Sequence, residues 1–443
     1  MKRRKIIIII LLLVSAILGI IYKQAPQEHL KEKSQDTSVD KPISFAIVTD
    51  LHYLSSKLTD NGGFFTKMID HADGKNMYYI EEITDAFVDQ VIRLKPEYLI
   101  LSGDLTFNGE KQSHLELAEK LSKIRNSDIE ILTIPGNHDI ERSSAAKFIG
   151  DGYQFVPTIS KKEFQGIYGL DNLQLSLQKD DNSLSYVYKS RSDLWFLMLD
   201  SNANRDNSLS DETLEWVEQV LKTAQKNHAK IIAVSHQNLL PHNPQFSNGF
   251  LISQADKLRE LYQKYGVLIN FSGHIHIQHI EQGQVPEIVT SALSVSPHQF
   301  SLVKYDGKKL NYQTQALSLE EWAKWKGYSD KYLLNFSTYS RKFMEEIGAK
   351  KAEEGLDKEK LLDQEVALLR ETFGQLNADY FAGNQVDLND YNQGLNLWKQ
   401  QSSTFMKNYI DTIIKENQSS HHDFFMDIKD SNNIYRKTNK NAK

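Results

Sequence analysis

The chain has 443 residues, 40% hydrophobic and 25% charged, a balance that supports a folded globular protein with a sizeable core. Its formal charge is −6, and Lys2, Arg3, Arg4 and Lys5 supply +4 of that, leaving −10 on the remainder; with no concentrated basic face, a nucleic-acid duplex is excluded as a partner. Cysteine is absent, which excludes disulfides, zinc–thiolate sites and cysteine nucleophiles.

The first predicted element is a transmembrane helix within residues 1–23. The uncharged, mostly apolar run 6–22 follows the basic cluster, and at ~1.5 Å per residue it spans about 25 Å, the short end of what crosses a bilayer. The basic flank stays cytoplasmic, so everything after Lys23 lies outside. A cleaved signal peptide is the competing reading. Residues 24–42 are polar and aperiodic, a linker.

From Ile43 the texture changes. Apolar runs of strand length at 43–49, 98–101, 129–134, 194–199, 230–234 and 267–271 alternate with amphipathic stretches at 78–94, 113–124, 211–226 and 254–265. Such alternation predicts a layered α/β domain over 43–316. Residues 299–305 and 310–315, joined around Asp306-Gly307, predict a hairpin that closes it. Ser318 and Glu321 then have capping-box spacing. Beyond them Leu362, Val366, Leu369, Phe373, Leu376 and Tyr380 mark one face of a helix that Gly383 is placed to end. Residues 317–430 are therefore expected to be a helical C-terminal domain, followed by a polar tail at 431–443.

Five short clusters carry the chemistry. Asp50-Leu-His52, Gly103-Asp104, Gly136-Asn-His-Asp139, His236 and Gly273-His-Ile-His276 each follow directly on an apolar run. Ligands bind open α/β sheets at the carboxyl ends of strands, so the five clusters should converge. Carboxylate, imidazole and amide oxygen suit Mn, Fe or Zn. Asp50 and His52 can serve one ion because alternate residues of extended chain point the same way, and His274 and His276 share that spacing. Asp104 can bridge two ions, and Gly103, Gly136 and Gly273 let backbone come close to them. Two ions about 3.5–4 Å apart can generate a bridging hydroxide and clamp a phosphate for in-line attack.

In order and spacing these clusters resemble the calcineurin-like metallophosphoesterase superfamily, over roughly residues 43–315. The resemblance implies a four-layer α/β/β/α sandwich. It also implies Asp50, His52 and His276 on one metal, Asn137, His236 and His274 on the other, and Asp104 between them. His138 would face the phosphate as acid or donor, steered by Asp139. Purple acid phosphatases carry a tyrosine ligand three residues after the bridging aspartate, where this chain has Phe107, so the iron–tyrosinate branch does not fit. The clusters look instead like the class III cyclic-nucleotide phosphodiesterase branch, some surface-anchored bacterial members of which add a helical C-terminal domain. The implied activity is hydrolysis of a small phosphoester, first a cyclic nucleotide, with a metal-bridging hydroxide as nucleophile. Another small or cell-envelope phosphoester is the alternative. A non-catalytic scaffold of the same fold is the rival class, but no ligand position is lost.

The implied location is a single-pass protein of the cell membrane with its enzymatic domain outside, or a secreted one if the N-terminal segment is cleaved. Self-association is left open. Of the remaining histidines, His279 reads as a surface residue, His242 as a candidate substrate contact, and His114, His298 and His421 as solvated.

Overall fold

The apolar runs become the central strands of two sheets. The structure, a computed structural model, describes residues 42–170, 176–203, 207–246 and 248–428. In the first sheet β1 (Ile43–Val48), β2 (Tyr98–Leu101) and β3 (Glu130–Thr133) run parallel. A short antiparallel pair follows, β4 (Ala146–Ile149) with β5 (Gly152–Phe155). The second sheet begins with β6 (Ser176–Lys179) and β7 (Tyr186–Lys189), continues through β8 (Leu194–Leu199), β9 (Lys230–Ser235) and β10 (Ile269–Ser272), and ends with β11 (His279–Glu281) and β12 (Glu287–Val289). The chain then returns to the first sheet as the predicted hairpin, β13 (Gln299–Tyr305) and β14 (Lys309–Ala316), with Tyr305 opposite Leu310. Within the segment expected to be helical, Asp423–Asp427 forms a last strand, β15, which pairs with the exposed edge of β14.

Strand β8 shows how the layers form. Leu194, Phe196 and Met198 face the other sheet and join Phe45 and Phe271 in the central core, while Trp195, Leu197 and Leu199 face outward into a second core. Period-two alternation puts both sets under cover because a parallel sheet is buried on both faces. Phe45 meets Phe196 edge-on at 5.1 Å between the sheets. Helices α5 (Asp211–Lys226) and α6 (Ala255–Tyr265) fill the outer core of the second sheet with Val217, Val220, Leu258 and Tyr262. Before them in the chain, α1 (Gly63–Asp70), α2 (Ile80–Leu94), α3 (Lys111–Arg125) and α4 (Lys161–Tyr168) place Phe65, Phe87, Leu117 and Phe164 in the large core that includes the first sheet. The α/β fold with a helical C-terminal region is thus present.

Among the described residues five α-helices follow β14: α7 (Leu319–Lys326), α8 (Phe336–Glu353), α9 (Asp363–Ala382), α10 (Asn392–Trp398) and α11 (Thr404–Glu416). The first starts where expected, but without the capping box: the Ser318 backbone N–H goes to Gln90 Oε1 at 3.0 Å, so Glu321 has no donor there to accept from. Gly383 ends α9 at φ +78°, and Leu369, Phe373, Leu376 and Tyr380 form its buried face as the spacing predicts, whereas Leu362, the first position of the expected face, precedes the helix and is exposed. Residues 42–428, so far as they are described, belong to one compact unit, so the helical region is packed onto the α/β layers. Its core takes in Ile275 and Ile277, the residues on either side of His276. Among the described residues no helix is long and apolar enough to cross a membrane. The expected anchor at 1–23, most of the 24–42 linker and the 431–443 tail lie outside the described residues.

Candidate metal centre

Strand register brings the clusters to one edge. Val48 stands opposite Leu101 and Leu101 opposite Thr133, so β1, β2 and β3 end level and release Asp50, Asp104 and Asn137 side by side. From the second sheet β9 and β10 release His236 and the 273–276 turn. Asp50, His52, Asp104, His274 and His276 all have positive φ, between 47° and 70°. A non-glycine residue is strained there, and such strain persists only where surrounding structure enforces it, as it does at functional sites. Neighbouring turns are pressed together: a Cβ on Gly136 would overlap Asp104 Oδ1 and its backbone nitrogen, and one on Gly273 would overlap Thr49 Oγ1.

Asp50, His52 and His276 form one group. His52 Nε2 lies 3.2 Å from His276 Nε2, and Asp50 Oδ1 lies 3.3 Å from His276 Nε2 and 3.7 Å from His52 Nε2. A cation about 2.1 Å from each of three donors separates them by ~3.0–3.4 Å; two sides of the triangle fall in that range and the third, His52 to Asp50, is slightly longer, so a small side-chain shift closes it around a first-row ion. The remaining atoms leave these three free for it. Asp50 Oδ2 accepts from Thr49 Oγ1 at 2.7 Å and from the His274 N–H at 2.9 Å, while the buried Oδ1 has no hydrogen-bond partner. His276 Nδ1 donates to Asp73 Oδ2 at 3.1 Å, and Lys75 Nζ holds the same oxygen at 2.9 Å. A carboxylate behind a ligating imidazole fixes its tautomer and raises its basicity.

Asp104, His236 and His274 form a second group, with Asn137 beside it. Asp104 Oδ2 lies 3.3 Å from His236 Nε2 and 3.8 Å from His52 Nε2, so one carboxylate oxygen stands between the two groups. Asn137 Oδ1 lies 3.1 Å from His236 Nε2. His236 Nδ1 donates to the Ser102 carbonyl at 2.9 Å and His274 Nε2 to the Gly249 carbonyl at 3.1 Å, which leaves the lone pairs on His236 Nε2 and His274 Nδ1. All seven expected ligands are thereby brought together in two groups that could hold two metal ions.

Electrostatics point the same way. Burial works against charge on His236, but Asp104 outweighs it and lifts the imidazole to about 9. Burial likewise opposes His276, which Asp50 and Asp73 lift to about 9. Burial also works against ionised Asp50 and Asp104, yet the facing imidazoles hold both carboxyls below their ordinary range. His274, lowered to about 4 by burial and by His236, keeps its lone pair. A pocket of this kind favours added positive charge, which a metal ion supplies.

His138 and Asp139 depart from expectation. The Asp139 carboxylate does not reach the His138 ring; it accepts from the backbone N–H groups of Leu105, Thr106 and Gly136 at 2.8–3.0 Å and ties the second and third clusters together. His138 instead donates from Nδ1 to Asn108 Oδ1 at 2.9 Å, with Nε2 4.0 Å from Asp104 Oδ2 and its side chain 31% exposed. Adjacent residues in a turn point apart, and that separates 138 from 139. Sequence reasoning missed Asn108 and the pair Asp73 and Lys75, none of which belongs to a motif. It also misplaced His114, His242, His279, His298 and His421, which are all buried. Two of them are held by partners far along the chain: His114 by Tyr168 Oη and the Asp139 carbonyl, His242 by Glu287 and His279.

Comparison with known proteins adds the following. The family model for calcineurin-like phosphoesterases matches residues 43–278, and that for the C-terminal domain of cyclic nucleotide phosphodiesterase matches residues 318–420. Among solved structures, a dimetal phosphatase from Danio rerio is 13% identical, with 62% of this chain and 97% of that chain covered at a TM-score of 0.47. The purple acid phosphatase PPD1 of yellow lupin is 15% identical, with 63% of this chain and 52% of that chain covered at a TM-score of 0.39. No curated protein matches the sequence.

Proposed function

The chain belongs to the calcineurin-like phosphoesterase family, and from that premise we propose that it is a dinuclear-metal phosphodiesterase acting on cyclic nucleotides. The observation that carries the metal chemistry is the position of Asp104 Oδ2 between His52 and His236. Asp50, His52 and His276 would hold one ion, Asn137, His236 and His274 the other, and Asp104 both. When bound, the pair supplies Lewis acidity to phosphoryl oxygens and lowers the pKa of water. Asp73, behind the ring, keeps His276 oriented, while Ser102 and Gly249 do so for His236 and His274. His138, held at Nδ1 by Asn108, turns Nε2 toward the site, and in its doubly protonated imidazolium form would give the Nε2 proton to the leaving oxygen. Asp139 keeps the Asp104 turn and the Asn137 turn in register.

The cyclic-nucleotide reading is supported by the match of residues 318–420 to the C-terminal domain of cyclic nucleotide phosphodiesterase. The second reading, another small or cell-envelope phosphoester, is favoured by the run at 6–22, from which we propose a membrane anchor with the enzymatic domain facing outward. Turnover of cyclic AMP, bis(p-nitrophenyl) phosphate and p-nitrophenyl phosphate, each with Mn²⁺, Fe²⁺ or Zn²⁺, separates the two. Cyclic AMP hydrolysis is expected. Turnover of the other esters with none of cyclic AMP replaces the first reading by the second.

A further inference from the structure

We propose a third cation site, distinct from the paired centre, formed by His279 and Glu281 of β11 and Glu416 at the end of α11. Residues 279 and 281 are alternate positions of one strand and so present side chains to the same side. Glu416 is the last residue of its helix, and one donor atom from each of the three lies within 4.8 Å of the others. Both glutamates are half-buried, so a rotamer adjustment suffices to close them around an ion.

A chain of hydrogen bonds holds the His279 ring in place. The fully buried Glu287 carboxylate accepts from the backbone of Leu239 and Leu240, from Asn270 Nδ2 and from Ser272 Oγ. Every one of these is a donor, so Glu287 is ionised and also accepts from His242 Nε2 at 3.1 Å. His242 Nδ1 in turn lies 2.9 Å from His279 Nδ1, so one of the two donates to the other and that edge of the His279 ring is engaged. The edge left over is Nε2. That atom is buried, makes no hydrogen bond, and stands 3.4 Å from Glu416 Oε2. A buried imidazole nitrogen that makes no hydrogen bond and faces a carboxylate oxygen is a position that a cation can take. Lys415 Nζ, 3.5 Å from Glu416, pairs with the other oxygen, Oε1, and does not fill the gap. The His421 ring, stacked on His279 at 4.2 Å between centroids, fixes the imidazole plane.

One imidazole and two carboxylates make a three-ligand set suited to Zn²⁺, with the fourth position open to solvent beside the half-exposed glutamates. Such an ion would fasten α11 to β11, and with it the helical region to the sheet whose preceding turn bears His274 and His276. The inference does not depend on the substrate or on the paired centre being active.

The test uses the full chain, stripped by chelation, reloaded with Zn²⁺ and desalted. Wild type is expected to retain one more zinc per chain than either Glu281→Gln or Glu416→Gln. It is also expected to gain several degrees more in Tm on zinc addition. Equal zinc content in all three proteins overturns the proposal. Anomalous scattering at the zinc edge from wild-type crystals decides independently of how well either variant folds: a peak among the three side chains is expected, and its absence while the paired centre scatters overturns the site.

Discussion

His138 hangs from Asn108, whose side-chain oxygen accepts from Nδ1 at 2.9 Å. Because an amide oxygen accepts only, Nδ1 must carry the proton, and the Nε2 end is the one turned toward Asp104. Asn108 therefore sets both the tautomer and the direction of the one histidine in the centre that is not an expected ligand.

Asn108→Ala is expected to lower kcat by roughly 10–100-fold, with KM little changed and metal content equal to wild type. Steady-state kinetics paired with metal analysis check it. An unchanged kcat would show that His138 is oriented by something else.

Asp73→Asn removes the carboxylate behind His276 and leaves Lys75 without its partner. Metal affinity is expected to fall about 10–100-fold, read by competition with a chelator of known strength. A variant that holds both ions as tightly as wild type contradicts the role given to Asp73.

Gly136→Ala forces a methyl group into Asp104. Either the turn or the bridging carboxylate must move, and a displacement near 1 Å at a reacting centre costs ~10²-fold in rate. Metal content should fall with activity. Full activity in this variant would mean that Asp104 can shift without consequence, against its place between the two groups.

Asp139→Ala leaves the buried N–H groups of Leu105, Thr106 and Gly136 without an acceptor. At about 1–3 kcal/mol for each orphaned group, stability should drop by at least roughly 3 kcal/mol. Urea denaturation measures this. A loss of activity with unaltered stability would instead return Asp139 to the steering role expected from its neighbour in sequence.

His114 and His298 are held down to about 4 by burial, against an ordinary value of 6.5. Above pH 6.5 both are neutral whether folded or unfolded, so they do not affect stability there. As pH falls from 6.5 toward 4 the unfolded chain takes up protons that the folded one refuses, and stability is lost, on the order of 3 kcal/mol for each group. The slope of Tm against pH over this window should flatten in His114→Asn and in His298→Gln. Slopes equal to wild type would place the acid sensitivity elsewhere.

The ligand set was readable because it is local. Each cluster stands immediately after an apolar run, and β1, β2, β3, β9 and β10 each end within one residue of that run's end. Spacing and residue type thus carried the five clusters, and their resemblance to the superfamily implied Asp50, His52, Asp104, Asn137, His236, His274 and His276 as the candidate ligands; period-two and 3.6-residue patterns carried the layers and the helical region. The return of residues 423–427 to the sheet was not readable, since the short alternation of Asp423, Phe424, Phe425, Met426 and Asp427 becomes a strand only beside the open edge of β14.

The sequence by itself determined which side chains could bind metal and at which ends of which strands they emerge, because both follow from chain-local chemistry and backbone period. Only the tertiary structure decided what stands behind them. Asp73 reaches His276, Asn108 reaches His138, and His242 reaches His279 through contacts between segments distant in the chain. A hydrogen bond depends on atoms meeting at about 3 Å with a fixed direction, and no pattern of letters along one segment specifies where another segment will lie.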